Sequence, residues 1–361
     1  MELKCVPQVY EWGKKGATSQ VAKLLAAFNK EFKIDDKVPF AELWMGTHPN
    51  GESIVAKTGE TLSDYLKKNP KCMGTAETIN AGDLPFLFKI LSIEKALSIQ
   101  VHPNKEVAER LNSVRPDLYP DKNHKPELAI ALTDFECLVG FRPLDQIIQF
   151  LATVPELKNI FNRDVLDQFS GESPTQLAEL FRALMTAPDQ KVKVSLKQLV
   201  ERLQESVEKV KEDSLYPLVE KLTQEFPNDV GCLAIYFLNY MKLKPGEAVF
   251  LHAGLPHAYL SGDIVECMAC SDNVVRAGLT PKFRDVATLC DILDYKSYKP
   301  STLLSASKKT DGITTVYNSG VRDFGVSMID VPPSVTYLVP RQHSCSIIIV
   351  IEGHGESEQF K

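Results

Sequence analysis

The sequence has no apolar run approaching the roughly 20 residues of a membrane-spanning helix. The longest, "SIIIVI" at 346–351, reads as a buried strand. Its first stretch, "MELKCVPQVYEWGKKG", has no apolar h-region and no small-residue cleavage site, so no secretory signal is expected. Positive charge is not in excess: the net charge is -6 and the pI about 5.8. That argues against a nucleic-acid surface and leaves open a locally basic pocket for a small anion. The eight cysteines are scattered, without a disulfide framework, and read as reduced thiols of a cytoplasmic protein. Only one C-x-x-C occurs, Cys267 to Cys270, and without a second pair a structural zinc knuckle is not expected. Internal repeats and low-complexity tracts are absent. The expectation is a soluble monomer with a small-molecule partner, bound neither to membrane nor to nucleic acid.

What is present is an ordinary globular composition, 361 residues with 44% hydrophobic and 24% charged. Three textures follow one another. Residues 1–142 mix short strand-like runs with turns rich in Gly, Pro, Asn and Asp. Residues 143–227 nearly lose glycine, contain no histidine, and repeat apolar residues at helical spacing. Leu196, Leu199, Leu203, Val207 and Val210 predict one amphipathic helix. Asp145 and Ser173 are expected helix starts. From 228 on, short strands with Gly/Pro turns return, as in a jelly roll or barrel. The fold class is therefore mainly β with an α-helical insertion. The expected units are 1–142 with 228–300, the helical 143–227, and 301–361.

The chemistry begins at "SIQVHP". In an extended strand Gln100 and His102 share a face and Val101 takes the other. In "YPDKNHKPE" (119–127), Pro126 blocks regular pairing and Glu127 sits where a loop enters an apolar strand, a costly place for a carboxylate that is neither paired nor metal-bound. In "HAYLSGDIVECMACSDNVVRAGLTPK" (257–282), His257 and Tyr259 share a face, a turn is expected at 261–263, and Glu266 then faces opposite to Cys267. Gln100, His102, Glu127 and His257 together offer a mixed N/O set suited to zinc or a similar divalent ion. His252, five residues before His257, competes, and spacing does not decide between them.

The chain resembles type I phosphomannose isomerases, from "YEWGKKG" through "AELWMGTHP", "LPFLFKIL" and "QVHP" to the two long motifs just quoted, which look like that family's signatures. The resemblance implies cupin-type jelly rolls (double-stranded β-helix) with a helical domain. It also implies one zinc per chain on Gln100, His102, Glu127 and His257, a catalytic Arg276, and pocket residues Trp12, Glu42, His48, Lys89, Ser98, Lys125, Tyr259, Glu266 and Asp272. The implied reaction interconverts mannose 6-phosphate and fructose 6-phosphate through an enediol, feeding GDP-mannose synthesis. For the proton transfer Glu266, Lys125 and Asp272 are candidates, with Glu266 and Lys125 preferred. His124 or His48 could assist ring opening, and Arg276 could hold either the phosphate or the enediolate. Lys89 in "LFKIL" would otherwise read as a snorkelling strand lysine. Against the family pattern the second jelly roll is expected to be truncated within 301–361. A non-catalytic or oxygenase-type metal-binding cupin is the competing reading; an oxygenase would usually carry histidine where Gln100 stands.

Overall fold

The computed structural model describes residues 1–74, 82–171 and 173–356. Its centre is a 13-residue strand, His257–Ala269, that serves two sets of antiparallel strands. Its first residues pair with Ile99–Val101 and Phe135–Phe141. Its later residues lie between Phe86–Ile93 and Glu127–Ala131 and form the first set with them; the pairings of its earlier residues form the second. The expected turn at 261–263 is instead a bend within this one strand. Gly262 makes the bend: its φ is +117°, and a Cβ there would stand 2.6 Å from the Asp134 carbonyl oxygen.

The first set continues through Phe40–Met45 to Val6–Val9 on one side and Ala248–Leu251 on the other. The second adds Leu238–Leu243 and Val275–Gly278. Residues of both sets, among them Leu91, Ala129, Val139, Met241 and Ile264, form one core cluster. This is the mainly β, cupin-like part of the molecule.

The helical insertion packs on the second set through a continuous cluster that joins Ile99, Val101 and Phe141 to Leu177, Leu199 and Leu222. Ser173 starts its helix as expected, its hydroxyl accepting from the Thr175 and Gln176 N–H groups. Asp145 does not cap; it lies in the first turn of Leu144–Thr153, after Pro143. The long helix expected through Val210 stops at Gln204, and a separate Glu208–Asp213 follows. Leu196, Leu199 and Leu203 are buried, but Val207 is 70% exposed and sits at the N-cap of the second helix. The periodicity persisted past the point where the chain needed to turn.

Residues beyond 300 form a three-stranded sheet, Ser307–Lys309, Thr314–Tyr317 and Val326–Ile329, whose Tyr317, Phe324 and Val326 pack against Phe40, Leu128 and Val265. The 346–351 run is not a paired strand. Ile347, Ile349 and Ile351 lean on that same core while Ile348 and Val350 face outward, and the stretch joins no ladder. No helix among the described residues is long and apolar enough to cross a membrane.

Candidate metal centre and active site

Strand register builds the centre. Gln100 is directly opposite His257 on one side and Arg276 on the other, so the three side chains leave one face in a row. His102 follows at the strand's end, where Pro103 stops the ladder and the His102 carbonyl accepts from Gly254 N–H. Glu127 opens its own strand, opposite Leu251 and Met268.

The two imidazoles are held alike. His102 Nδ1 lies 2.8 Å from the Asn273 carbonyl oxygen, and His257 Nδ1 lies 3.0 Å from that of Leu255. A carbonyl only accepts, so each Nδ1 carries a proton and each Nε2 is the ring atom turned inward, where it can offer a lone pair. Burial lowers the His102 pKa to about 4 despite the opposing pull of Glu127, keeping that ring neutral. His102 Nε2 is 3.3 Å from one Glu127 oxygen and His257 Nε2 is 3.5 Å from the other. Burial alone would raise the Glu127 pKa, but His102 and Lys125 outweigh it and hold the group well below the usual carboxylate range. Lone pairs therefore face lone pairs inside the protein. Neither His102 Nε2 nor Glu127 Oε2 has a hydrogen-bond partner. Such an arrangement is repulsive until a cation stands among the donors. Ligand atoms of His102, Glu127 and His257 all lie within 4.8 Å of one another, the one such group among the described residues. Gln100 Nε2 stands 3.3 Å from His257 Nε2, and turning the amide over presents its oxygen instead. His252 is not in the group: its ring bonds to Ala253 and Tyr298.

Beside the centre lies a second buried cluster. Lys89 Nζ is 3.2 Å from Glu266 and 3.4 Å from Glu42, and stands over the Trp44 ring. Trp44 Nε1–H donates to Glu42 at 2.6 Å, and Tyr259 O–H donates to Glu266 at 2.9 Å. Lys89 is therefore no snorkelling side chain: it faces Glu266 and Trp44 across its two neighbouring strands. Burial opposes its charge, but Glu42 and Glu266 more than compensate and raise its pKa. Burial and the nearby Glu127 raise that of Glu266, with Lys89 and Lys125 pulling the other way. Burial and Glu266 also keep the Tyr259 phenol protonated. Lys125 Nζ, 3.5 Å from Glu127, links this cluster to the metal centre.

Asp272 pairs with His48 at 3.1 Å, and that bond lowers the Asp272 pKa. Arg276 has no ion pair or hydrogen bond among the described residues; burial lowers its pKa, and it lines a cleft with Tyr119, Lys282 and Phe283. Ser98 donates to Gln100 at 3.4 Å. Trp12 stacks on Tyr10. His124 is drawn elsewhere, 3.2 Å from both Asp323 oxygens. The sequence motifs assign no role to Trp44, Asp121, Asn273 or Asp323, although Asp121 stands with His124, Lys125 and Glu127 in one charged motif. For Asp121 and Asn273 a signal was present, the Asx-turn pattern of "PDKN" and the polar cluster "CSDN".

Residues 1–144 match the model of the phosphomannose isomerase type I catalytic domain, and 153–238 match that family's helical insertion domain. The mannose-6-phosphate isomerase of Mus musculus is 46% identical over 97% of this chain and 87% of its own length. That of Homo sapiens is 45% identical over the same shares. A zinc-bound crystal structure of a mannose 6-phosphate isomerase superposes with a TM-score of 0.76 at 33% identity, covering 90% of this chain and 82% of that one.

Proposed function

The chain belongs to the type I phosphomannose isomerase family, and from that premise we propose that it interconverts mannose 6-phosphate and fructose 6-phosphate through an enediol, with one zinc held by Gln100, His102, Glu127 and His257. The observation that carries the metal assignment is the pair of buried, unpartnered atoms, His102 Nε2 and Glu127 Oε2, facing each other's neighbours with no proton to share. Two neutral nitrogens, a carboxylate and an amide oxygen suit zinc and leave room for a further oxygen. When bound, zinc supplies positive charge to the substrate's oxygens, a contribution of several kcal/mol or roughly a thousandfold in rate.

The chain's own groups do the rest. Glu266 takes the proton from C2 of the open sugar and returns it to C1. Its neighbour Lys89 favours the ionised form that this needs, while burial keeps the protonated form within reach. Lys125 moves the proton between O1 and O2, sharing the transfer with Glu266. Such a positioned pair is worth about 10²–10⁴-fold. Asp272 orients His48 for ring opening, with His124 as the alternative. Arg276, free of any protein counterion among the described residues, pairs with the anionic substrate, either at its phosphate or at the developing enediolate. Trp12, Glu42, Ser98 and Tyr259 shape the pocket.

Residues 1–142 with 228–300 form the catalytic unit in this reading, 143–227 stand apart from the chemistry, and 301–361 form a third unit. The protein works in the cytoplasm as a monomer, on the route to GDP-mannose. The test is a coupled assay for fructose 6-phosphate from mannose 6-phosphate, before and after removal of metal with a chelator and readdition of zinc. Turnover that is lost and then restored is expected. Full activity in the stripped chain would end the metal reading, and no turnover with zinc bound would end the isomerase reading.

A further inference from the structure

The loops that carry the candidate site are joined by a carboxylate with no part in the reaction above. Asp121 lies in the loop that leads to Lys125 and Glu127. Its Oδ1 accepts from Asn123 N–H at 2.9 Å, from the Ser271 hydroxyl at 2.8 Å and from Asn273 Nδ2 at 3.1 Å. Its Oδ2 accepts from Asp272 N–H at 2.7 Å. Asn273 Nδ2 donates also to the backbone oxygens of Asp121, at 2.8 Å, and Asn123, at 3.2 Å. Asn123 Nδ2 closes the clasp on the Cys270 carbonyl at 2.9 Å. Three residues in a row, 271–273, are thus tied to one side chain of the opposite loop.

The clasp has an output. Asn273 is fully buried, and its backbone carbonyl is the acceptor that holds the His102 Nδ1 proton. The direction of that carbonyl sets which ring nitrogen of His102 faces Glu127. Without the carboxylate, the Asp272 N–H loses its acceptor and the Ser271 hydroxyl keeps only the Asn123 carbonyl at 3.2 Å, so the 271–273 backbone is free to turn. We infer that Asp121 is a positioning residue of the metal centre: through Asn273 it fixes the tautomer and orientation of His102, and with it the affinity for the metal. This rests on the zinc reading of the site.

The geometry also says why the residue is a carboxylate. Four donors converge on its two oxygens. An asparagine keeps an oxygen for the Oδ1 partners but sets an N–H against Asp272 N–H, so its effect should be intermediate.

The test compares the parent, Asp121→Asn and Asp121→Ala by competition for zinc against a chromophoric chelator. It also records ¹⁵N-histidine spectra of the metal-free chains, which report the tautomer, and far-UV circular dichroism for the fold. Outer-sphere partners of metal-binding histidines are typically worth 10–100-fold in affinity. Asp121→Ala should therefore bind zinc about 10–100-fold more weakly, with Asp121→Asn between it and the parent. The His102 signal should leave the Nδ1–H form in the same order while the far-UV spectrum is kept. Parent-like zinc affinity together with a parent-like His102 signal in Asp121→Ala would overturn the inference. Should Asp121→Ala not fold, the same result in Asp121→Asn would overturn it. A parent chain that does not bind zinc would instead defeat the metal reading, and the metal-free histidine signal would still decide whether the clasp sets the ring.

Discussion

Two buried clusters of charged groups lie side by side in this molecule, and they are finished differently. Around Lys89 the charges find partners: Glu42 accepts from Trp44, Glu266 accepts from Tyr259 and Lys89, and the lysine sits between both carboxylates. Around Glu127 the Nδ1 atoms are bonded, but two inward-facing atoms, His102 Nε2 and Glu127 Oε2, are not. Burying polar groups without partners costs a few kcal/mol each, so a fold keeps them only where something else completes the set. The completed cluster is built to hold a shape. The incomplete one is built to hold an ion.

The comparison breaks most visibly at the incomplete cluster. His257→Ala removes a candidate ligand whose ring also bonds the Leu255 carbonyl. Zinc content should fall to near zero and isomerase activity by about a thousandfold or more, as expected when several kcal/mol of charge stabilisation is lost. The metal-free chain should also lose some stability, since the buried ring bonds the Leu255 carbonyl and packs beside His102 and Tyr259. Elemental analysis, with circular dichroism alongside, checks both parts; full zinc occupancy in the variant would remove His257 from the set.

At the completed cluster the balance should reverse. Lys89→Met leaves Glu42 and Glu266 buried without their cation. Breaking a buried pair from one side typically costs about 3–5 kcal/mol. The urea midpoint should drop sharply while the zinc affinity of the molecules that remain folded changes little. A variant as stable as the parent would show that the two carboxylates take up protons at no cost.

Acid separates the clusters by sign. The His102 pKa is depressed to about 4 by burial, from an ordinary 6.5. The unfolded chain thus binds a proton that the folded chain refuses between those values. Stability from this group is complete above about pH 6.5 and is lost as pH falls through about 4. The interval corresponds to roughly 3 kcal/mol. Glu127, with its lowered pKa, shifts stability in the same direction. Glu266, with its raised pKa, does the reverse: its contribution is present at low pH and fades as pH rises through the raised value. Urea titrations of the metal-free parent and of His102→Asn between pH 7 and 4 should show the steeper acid loss in the parent.

Gln100, His102, Glu127 and His257 could be picked out as a candidate set because they sit in short contiguous motifs with strong local constraints: a proline directly after His102, another directly before Glu127, and period-2 alternation through His257; spacing alone left His252 beside His257. The Lys89 cluster was legible only by family resemblance. Taken alone, "LFKIL" says lysine in a strand, and what makes the lysine a central charge is register against Trp44 and Glu266, which lie 45 and 177 residues away in sequence. Long-range register is also why the Gly262 bend read as a turn. The clasp at Asp121 had a local signature, but its importance lies in a backbone carbonyl, which no side-chain pattern reports. The helix break before Val207 and the unpaired 346–351 run failed for one reason: apolar periodicity records which residues want burial, and tertiary packing decides how far the element runs.

That last run provides the smallest expected effect and a third kind of region, apolar and incompletely covered. Ile348 is 63% exposed and Val350 53%, while Ile347, Ile349 and Ile351 lean on the core. An extended, β-branched, proline-free segment outside any ladder is a template for pairing with another chain. Lysine at an exposed position should cost the fold within about 0.5 kcal/mol and discourage such pairing. Ile348→Lys with Val350→Lys should therefore leave zinc content and the urea midpoint unchanged and raise the soluble fraction at high concentration. Ile349→Lys, one residue away on the covered face, should instead destabilise the chain by about 1–3 kcal/mol, since it sets a charge against apolar neighbours. Should the two outward positions prove as damaging as Ile349, the run is covered on both faces in solution, and its alternation marks a buried strand after all.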